Sequence, residues 1–299
     1  MFPQAADSKS HTAITSNNLS ISPKFLEKVK ISRILPIFCM AALTVACNDI
    51  KEEDRFITVD EIKPVRAVLI EEFTGQFCVN CPSGHAEIAK LHNQYPDAVI
   101  PVSIHASNLA VADGDLGPTF QGLKIPEGET YYANAGSEPL PFAVVDRNSG
   151  ALSIAQWADA VDKALQKPAP ANIEMTAALN NGKIDIDINV LPLEDLACSL
   201  QVWVVESGIV SYQDDLNGVM HIDYVHNHVL RAVVNGINGE SISLQDNIYS
   251  NKKYSYDVLD KWNTDNLAIV AFLYDGSGVL NACEVPVSAT TDDETTEQS

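Results

Sequence analysis

The sequence predicts an α/β domain followed by an all-β antiparallel sandwich. Three observations carry this prediction. The first half places a Cys-x-x-Cys pair between an apolar strand and a helical pattern. An amphipathic helix and a Pro-rich linker then close that half. The second half strings strands together without intervening helices.

An export segment precedes both parts. Residues 24–33 (KFLEKVKISR) are basic, and residues 34–46 (ILPIFCMAALTVA) are apolar. An apolar run of about 13 residues is too short to cross a hydrocarbon core of ~30 Å as a helix, so the pattern is that of a signal peptide. It ends in LTVAC, which resembles the bacterial lipobox, where small residues precede a cysteine that becomes the lipidated N-terminus. That assigns 1–46 to the signal and makes Cys47 the lipidation site, with the membrane as partner through the anchor. A cleaved signal with a chance cysteine is the competing reading. Residues 47–63 are acidic and polar and read as a tether.

Residues 65–74 (VRAVLIEEFT) form an apolar, β-branched run suited to a buried strand. FCVNCPSGH follows, and Ile88, Leu91 and Tyr95 then share one helical face. Pro82 suits the first turn of that helix. Residues 98–105 (AVIPVSIH) read as a second strand, 106–138 as a Gly-containing loop, and 140–147 (LPFAVVDR) as a third strand. Residues 153–166 form an amphipathic helix with Ser153 as N-cap and Ile154, Trp157, Val161 and Leu165 on one face. KPAPA (167–171) is the boundary, so the first domain spans 64–167.

In 172–288, IEMTAALN, KIDIDINV, SLQVWVVES, YVHNHVLRAVV, LAIVAFLYD and VLNACEVPV read as strands. Asn181-Gly182 joins the first two as a hairpin. Trp203 and Trp262 are expected in the core. Residues 289–299 form an acidic tail. The net charge of −21 repels phosphate backbones, which argues against nucleic acid as a partner.

The Cys78–Cys81 pair sits where a helix begins. Unpaired N–H groups there favour a thiolate, so Cys78 is expected to be the exposed nucleophile and Cys81 the resolving thiol. The order strand, CxxC, helix, strand, Pro-led strand, helix resembles a thioredoxin-like domain. That resemblance gives Glu72 the role of the buried acid that exchanges protons with Cys81, and Pro141 that of a cis-proline facing the disulfide; Pro139 competes for the latter place. The Val-Asn spacer and the long loop 106–138 depart from the pattern. A structural disulfide and a zinc half-site are the other readings of a CxxC, with His85 as a conceivable ligand. No second CxxC or CxxH stands nearby, so no metal or other cofactor is assigned.

Cys198 and Cys283 lie in predicted strands of an exported protein and are expected to form a structural disulfide. Two separate buried thiols are the alternative. His226 and His228 flank Asn227 and, on the strand YVHNHVLRAVV, point to the same face; cross-strand hydrogen bonding is their expected role, and a metal site with His221 or Asp223 is the alternative.

Taken together, LTVAC, EEFTGQFCVNCPSGH, LPFAVVDR and DYVHNHVLR resemble the 28-kilodalton outer-membrane-protein family of Bacteroidetes. The resemblance implies a lipoprotein of the outer membrane, with receptor or adhesin roles proposed for the family. Two functions therefore follow from the sequence: thiol–disulfide exchange on exported proteins, and a non-catalytic surface binding module stapled by the CxxC.

Overall fold

A computed structural model describes residues 64–115 and 117–289. The expected signal segment, Cys47, the expected tether and all but the first residue of the expected acidic tail lie outside the described residues. Among the described residues no helix is long and apolar enough to cross a membrane.

The first half contains β1 (Val68–Thr74), α1 (Cys81–Gln94), β2 (Val99–His105), α2 (Pro126–Asn134), β3 (Phe142–Val145) and α3 (Ile154–Leu165). Strand β1 pairs in parallel with β2 and antiparallel with β3. Every residue of all three strands is buried, which explains why they read as continuous apolar runs rather than alternating ones. Val68 and Ile70 pack with Trp157 and Val161 of α3 and with Ile88 and Leu91 of α1. Leu69 and Phe73 point the other way, into a second core that holds Trp203 and Phe272.

Helix α3 begins with a capping box in which Ser153 and Gln156 satisfy each other's end of the first turn. Helix α2 lies inside the segment expected to be loop. Its apolar content is low and only Gly128 and Tyr131 are buried, so periodicity carries little signal there.

The described residues of the second half hold eleven strands. They are β4 (Ala171–Asn180), β5 (Lys183–Pro192), β6 (Leu196–Glu206), β7 (Ile209–Asp214), β8 (Met220–His226), β9 (Val229–Val233), β10 (Glu240–Leu244), β11 (Ser250–Asp257), β12 (Leu267–Asp275), β13 (Gly278–Pro286) and β14 (Ser288–Ala289). The β4–β5 turn is Asn181-Gly182, both at positive φ, as a tight hairpin requires. Ile184, Ile186 and Ile188 of β5 face Leu200, Val202 and Val204 of β6 across one core. Trp203 and Trp262 are buried as expected.

The fold is β-rich, with mixed and antiparallel sheets. One eight-stranded sheet runs β13-β12-β6-β9-β2-β1-β3, with β10 also on β6. Its continuity depends on a parallel contact between β2 and β9, Ser103 opposite Val229. Strands from both halves thus share one sheet. A four-stranded sheet, β11-β5-β4-β14, covers the core beside β6 and β12. Strands β7 and β8 form a separate two-stranded ribbon.

Two expectations are corrected. YVHNHVLRAVV is not one strand: the chain breaks after His226, and His228 adopts φ of 55°. Cys198 and Cys283 are free thiols. Strand β12 lies between their strands, and Cys283 is level with Val202 through Ala271 rather than with Cys198. Two strand spacings, about 10 Å, exceed the ~7 Å Cα separation that a disulfide can bridge.

Candidate functional site

Cys78 and Cys81 form a disulfide. Cys81 opens α1 with Pro82 behind it, and Cys78 lies in the turn before, its N–H bonded to the Gly75 carbonyl at 3.1 Å. Gly75 lets the loop pass close: a Cβ there would lie 2.6 Å from the Leu109 carbonyl oxygen. Phe77 donates its N–H to that carbonyl at 2.8 Å.

The ribbon covers this turn from the other side. Gln213 Nε2 donates to the Cys78 carbonyl at 3.0 Å, and the Asp214 N–H donates to the Gln76 carbonyl at 2.9 Å. Tyr212 meets the Phe77 ring edge-on at 5.2 Å. The consequence contradicts the expected exposed nucleophile: Cys78 is only 3% exposed and Cys81 not at all. The residues around the pair are more open, with Phe77 and Val79 both exposed.

Glu72 lies beneath the first turn of α1. A Cβ on Gly84 would come within 2.6 Å of Glu72 Oε1 and 3.3 Å of Pro141 Cβ, so that glycine lets helix, acid and proline meet. Gly84 is three residues after Cys81, on the same helical face. The Leu140–Pro141 bond is cis, so Pro141 rather than Pro139 holds that conformation. Glu72 accepts a hydrogen bond from Ser103 Oγ at 3.0 Å through Oε2, while Oε1 has no partner. Burial among apolar strands pushes its pKa up to about 8, partly opposed by Ser103, so at neutral pH the carboxyl is mostly protonated.

Beyond Glu72 opens a polar cavity of about 250 Å³ that its carboxyl, Ser103, His105, His85, Tyr224 and His226 help to line. His85 Nε2 bonds Thr74 Oγ1 at 2.9 Å and lies 3.9 Å from Glu72 Oε1. Its Nδ1 bonds the Tyr224 hydroxyl at 2.8 Å. Burial and the facing His226 lower the His85 pKa to about 3, so the ring is neutral. His226 donates from Nε2 to the Tyr212 carbonyl at 3.2 Å, and burial lowers its pKa to about 4. Neither His105 nitrogen has a partner. Among the described residues no group of three or more His, Cys, Asp and Glu could hold a metal ion.

The structure thus brings Glu72 and Pro141 together at Gly84, three residues along α1 from the disulfide-bonded Cys81, and leaves Cys198 and Cys283 on other strands. His85 is a partly exposed residue of α1, hydrogen-bonded at both nitrogens. Ser103, His105 and Tyr224 went unnoticed in the sequence. Ser103 and His105 alternate along AVIPVSIH, and in the β1–β2 register they stand level with Glu72 and Thr74. Aligning the two strands in parallel would have found them. Nothing local marks Tyr224.

Fold and site define a β-rich protein with a buried CxxC disulfide at a helix start, next to a buried acid. The family described as "Outer membrane protein Omp28" matches residues 128–291, more than half of the chain. The chain belongs to the Omp28 outer membrane protein family, and the outer membrane is its location. The matched span begins within α2, beyond the CxxC. Among solved structures, HBP35 of Porphyromonas gingivalis is 16% identical, covers 80% of this chain and 81% of its own, and superposes with a TM-score of 0.63. That likeness is one of fold. A domain of the outer membrane lipoprotein Omp28 from the same organism is 26% identical over 41% of this chain and 92% of its own, with a TM-score of 0.31. No curated protein matches the chain.

Proposed function

We propose that this protein is a lipid-anchored thiol–disulfide exchange protein of the outer membrane, acting on exported proteins through a thioredoxin-like site. The observation that carries the reading is the Glu72 carboxyl, buried without a partner at Oε1 beneath the helix turn that Cys81 opens. A disulfide that only staples the fold has no use for an isolated buried acid, which is costly to keep. An acid that protonates the leaving Cys81 thiolate has such a use. Parallel β1 and β2, antiparallel β3 and the placement of Pro141 over Gly84 support the thioredoxin-like reading of this half. A substrate thiolate attacks Cys78 Sγ, the Cys78–Cys81 bond breaks, and Cys81 leaves with the electron pair. A second substrate thiolate then resolves the mixed disulfide.

The direct test is trapping with Cys81→Ala in cells. Exported proteins disulfide-linked to Cys78 are expected. An absence of such adducts, with the variant folded and at normal abundance, sinks the reading. Anchoring through Cys47 is tested alongside: Cys47→Ala is expected to lose its lipid label and leave the membrane fraction.

One observation favours the second reading, a binding module stapled by the CxxC. Cys78 is 3% exposed, beneath the ribbon. That reading expects dithiothreitol to reduce the disulfide only after unfolding. Reduction in the native state, at a rate independent of denaturant, supports exchange instead.

A further inference from the structure

We propose that His85 and Tyr224 form the proton inlet to Glu72, connecting the acid behind the disulfide to solvent through the polar cavity. The inference rests on the exchange reading for its purpose, but its geometry stands by itself. Glu72 is fully buried, yet the cavity that begins at its carboxyl reaches His85 and Tyr224, both partly exposed. The pair is held in place: His85 is fixed between Thr74 Oγ1 at 2.9 Å and the Tyr224 hydroxyl at 2.8 Å. Its Nε2 stands 3.9 Å from the unpartnered Glu72 Oε1, a gap that a small ring rotation or one water closes.

The chemistry suits the arrangement. A neutral imidazole accepts at one nitrogen and donates at the other, so it passes a proton by exchanging tautomers. The groups facing Glu72 are His85 from α1, Ser103 and His105 from β2, and Tyr224 and His226 from β8. None carries a positive charge at neutral pH, so none holds Glu72 ionised. The partnerless nitrogens of His105 and Nδ1 of His226 also line the cavity. A polar space of this size with unmet donors and acceptors is suited to ordered water.

When a substrate thiolate bonds to Cys78 Sγ, the Cys78–Cys81 bond breaks and its electron pair goes to Cys81 Sγ. Glu72 gives its proton to that sulfur and becomes a carboxylate. His85 donates a proton to Glu72 and receives one from the Tyr224 side, where bulk water supplies it. The disulfide is the oxidant. Tyr224 comes from a ribbon more than a hundred residues away in sequence, so the second half of the chain serves the chemistry of the first.

The test uses the intact protein with Glu72 labelled with carbon-13 at its carboxyl, titrated by NMR through pH 8. A single averaged signal is expected in the parent protein. His85→Phe, which fills the inlet with a ring that carries no proton, is expected to give two separate signals for the acid and its anion. His85→Ala, which leaves a hole, is expected to recover averaging when free imidazole is added. Averaging in every variant, or separate signals that imidazole does not merge in a folded His85→Ala, overturns the inlet. This readout does not depend on exchange activity, so the inlet can fail while trapping succeeds, and the reverse.

Discussion

Glu72 Oε1 lies 3.9 Å from His85 Nε2, and neither atom is satisfied by the other. One residue belongs to β1, paired on both sides within the sheet, and the other to the helix that covers it. The pair joins the disulfide turn to the polar cavity, and the two groups titrate in opposite directions from their ordinary values.

That opposition predicts a bell-shaped dependence of stability on pH. Glu72 holds its proton in the folded state to about pH 8, against an ordinary value of 4.5. The folded state binds the extra proton in that window, so stability falls as pH rises through it. His85, His226 and His228 are pushed down by burial, to about 3, 4 and 4 from an ordinary 6.5. There the unfolded state binds the extra protons, so stability falls as pH drops below 6.5. Each proton contributes a slope of about 1.4 kcal/mol per pH unit, and three histidines outweigh one acid on the acidic side. Urea midpoints are expected to peak near neutrality. In Glu72→Gln the decline between about pH 6.5 and 8 disappears while the acidic limb stays. An unchanged alkaline limb in that variant contradicts the assignment.

Gly84→Ala tests the close packing under α1. The new methyl would sit 2.6 Å from Glu72 Oε1 and 3.0 Å from the Trp157 ring, both buried. The helix must shift or the acid must turn away. A loss of about 1–3 kcal/mol is expected, read from denaturant unfolding. Gly136→Ala serves as a comparison of another kind, since that site is open but its φ is 101°.

Arg147 is predicted to matter for the fold rather than the disulfide. Its guanidinium bonds Glu71 at 3.1 Å and lies over the rings of Phe272, Tyr274, Tyr131 and Trp203 at 4.6 to 5.2 Å. Arg147→Ala leaves the buried Glu71 carboxylate without its cation. A loss of about 3–5 kcal/mol is expected. Adding Glu71→Gln to the same chain is expected to recover part of it, because the stranded charge is gone. A double variant as unstable as the sum of the singles argues against the pairing.

The free thiols make a covalent prediction. Peptide mapping after alkylation in denaturant, without reductant, is expected to find Cys198 and Cys283 each alkylated and Cys78 and Cys81 untouched. Burial raises both free thiols to about 11, so under native conditions they are expected to react slowly. A Cys198–Cys283 bridge in the map overturns the strand order β6-β12-β13.

Much of the local structure was legible because its physics is local. Apolar runs marked β1, β2 and β3, Pro82 marked the start of α1, and Ser153 with the apolar face of Ile154, Trp157, Val161 and Leu165 marked α3. Asn181-Gly182 marked a hairpin because few other pairs accept positive φ in succession. Strands β7, β10, β11 and β14 were missed, since short or largely polar segments become strands only through the partners they find. His226 and His228 were placed on one face because alternation assumes an unbroken strand, and the break lies in a backbone angle that side-chain pattern does not reveal.

By itself, the sequence determined the CxxC at a helix start, Glu72 on the strand before it, Pro141 at the entry to the third strand, and membership in an outer membrane family. Those features depend on residue type and short spacing. The tertiary structure alone decided three things. It decided that the strands of both halves share one sheet, because the β2–β9 contact joins residues far apart in sequence. It decided that Cys198 and Cys283 stay apart, because a strand lies between them. It also decided that the ribbon β7–β8 buries Cys78 and brings Tyr224 to His85. Long-range pairing sets all three, and spacing along the chain carries no record of it.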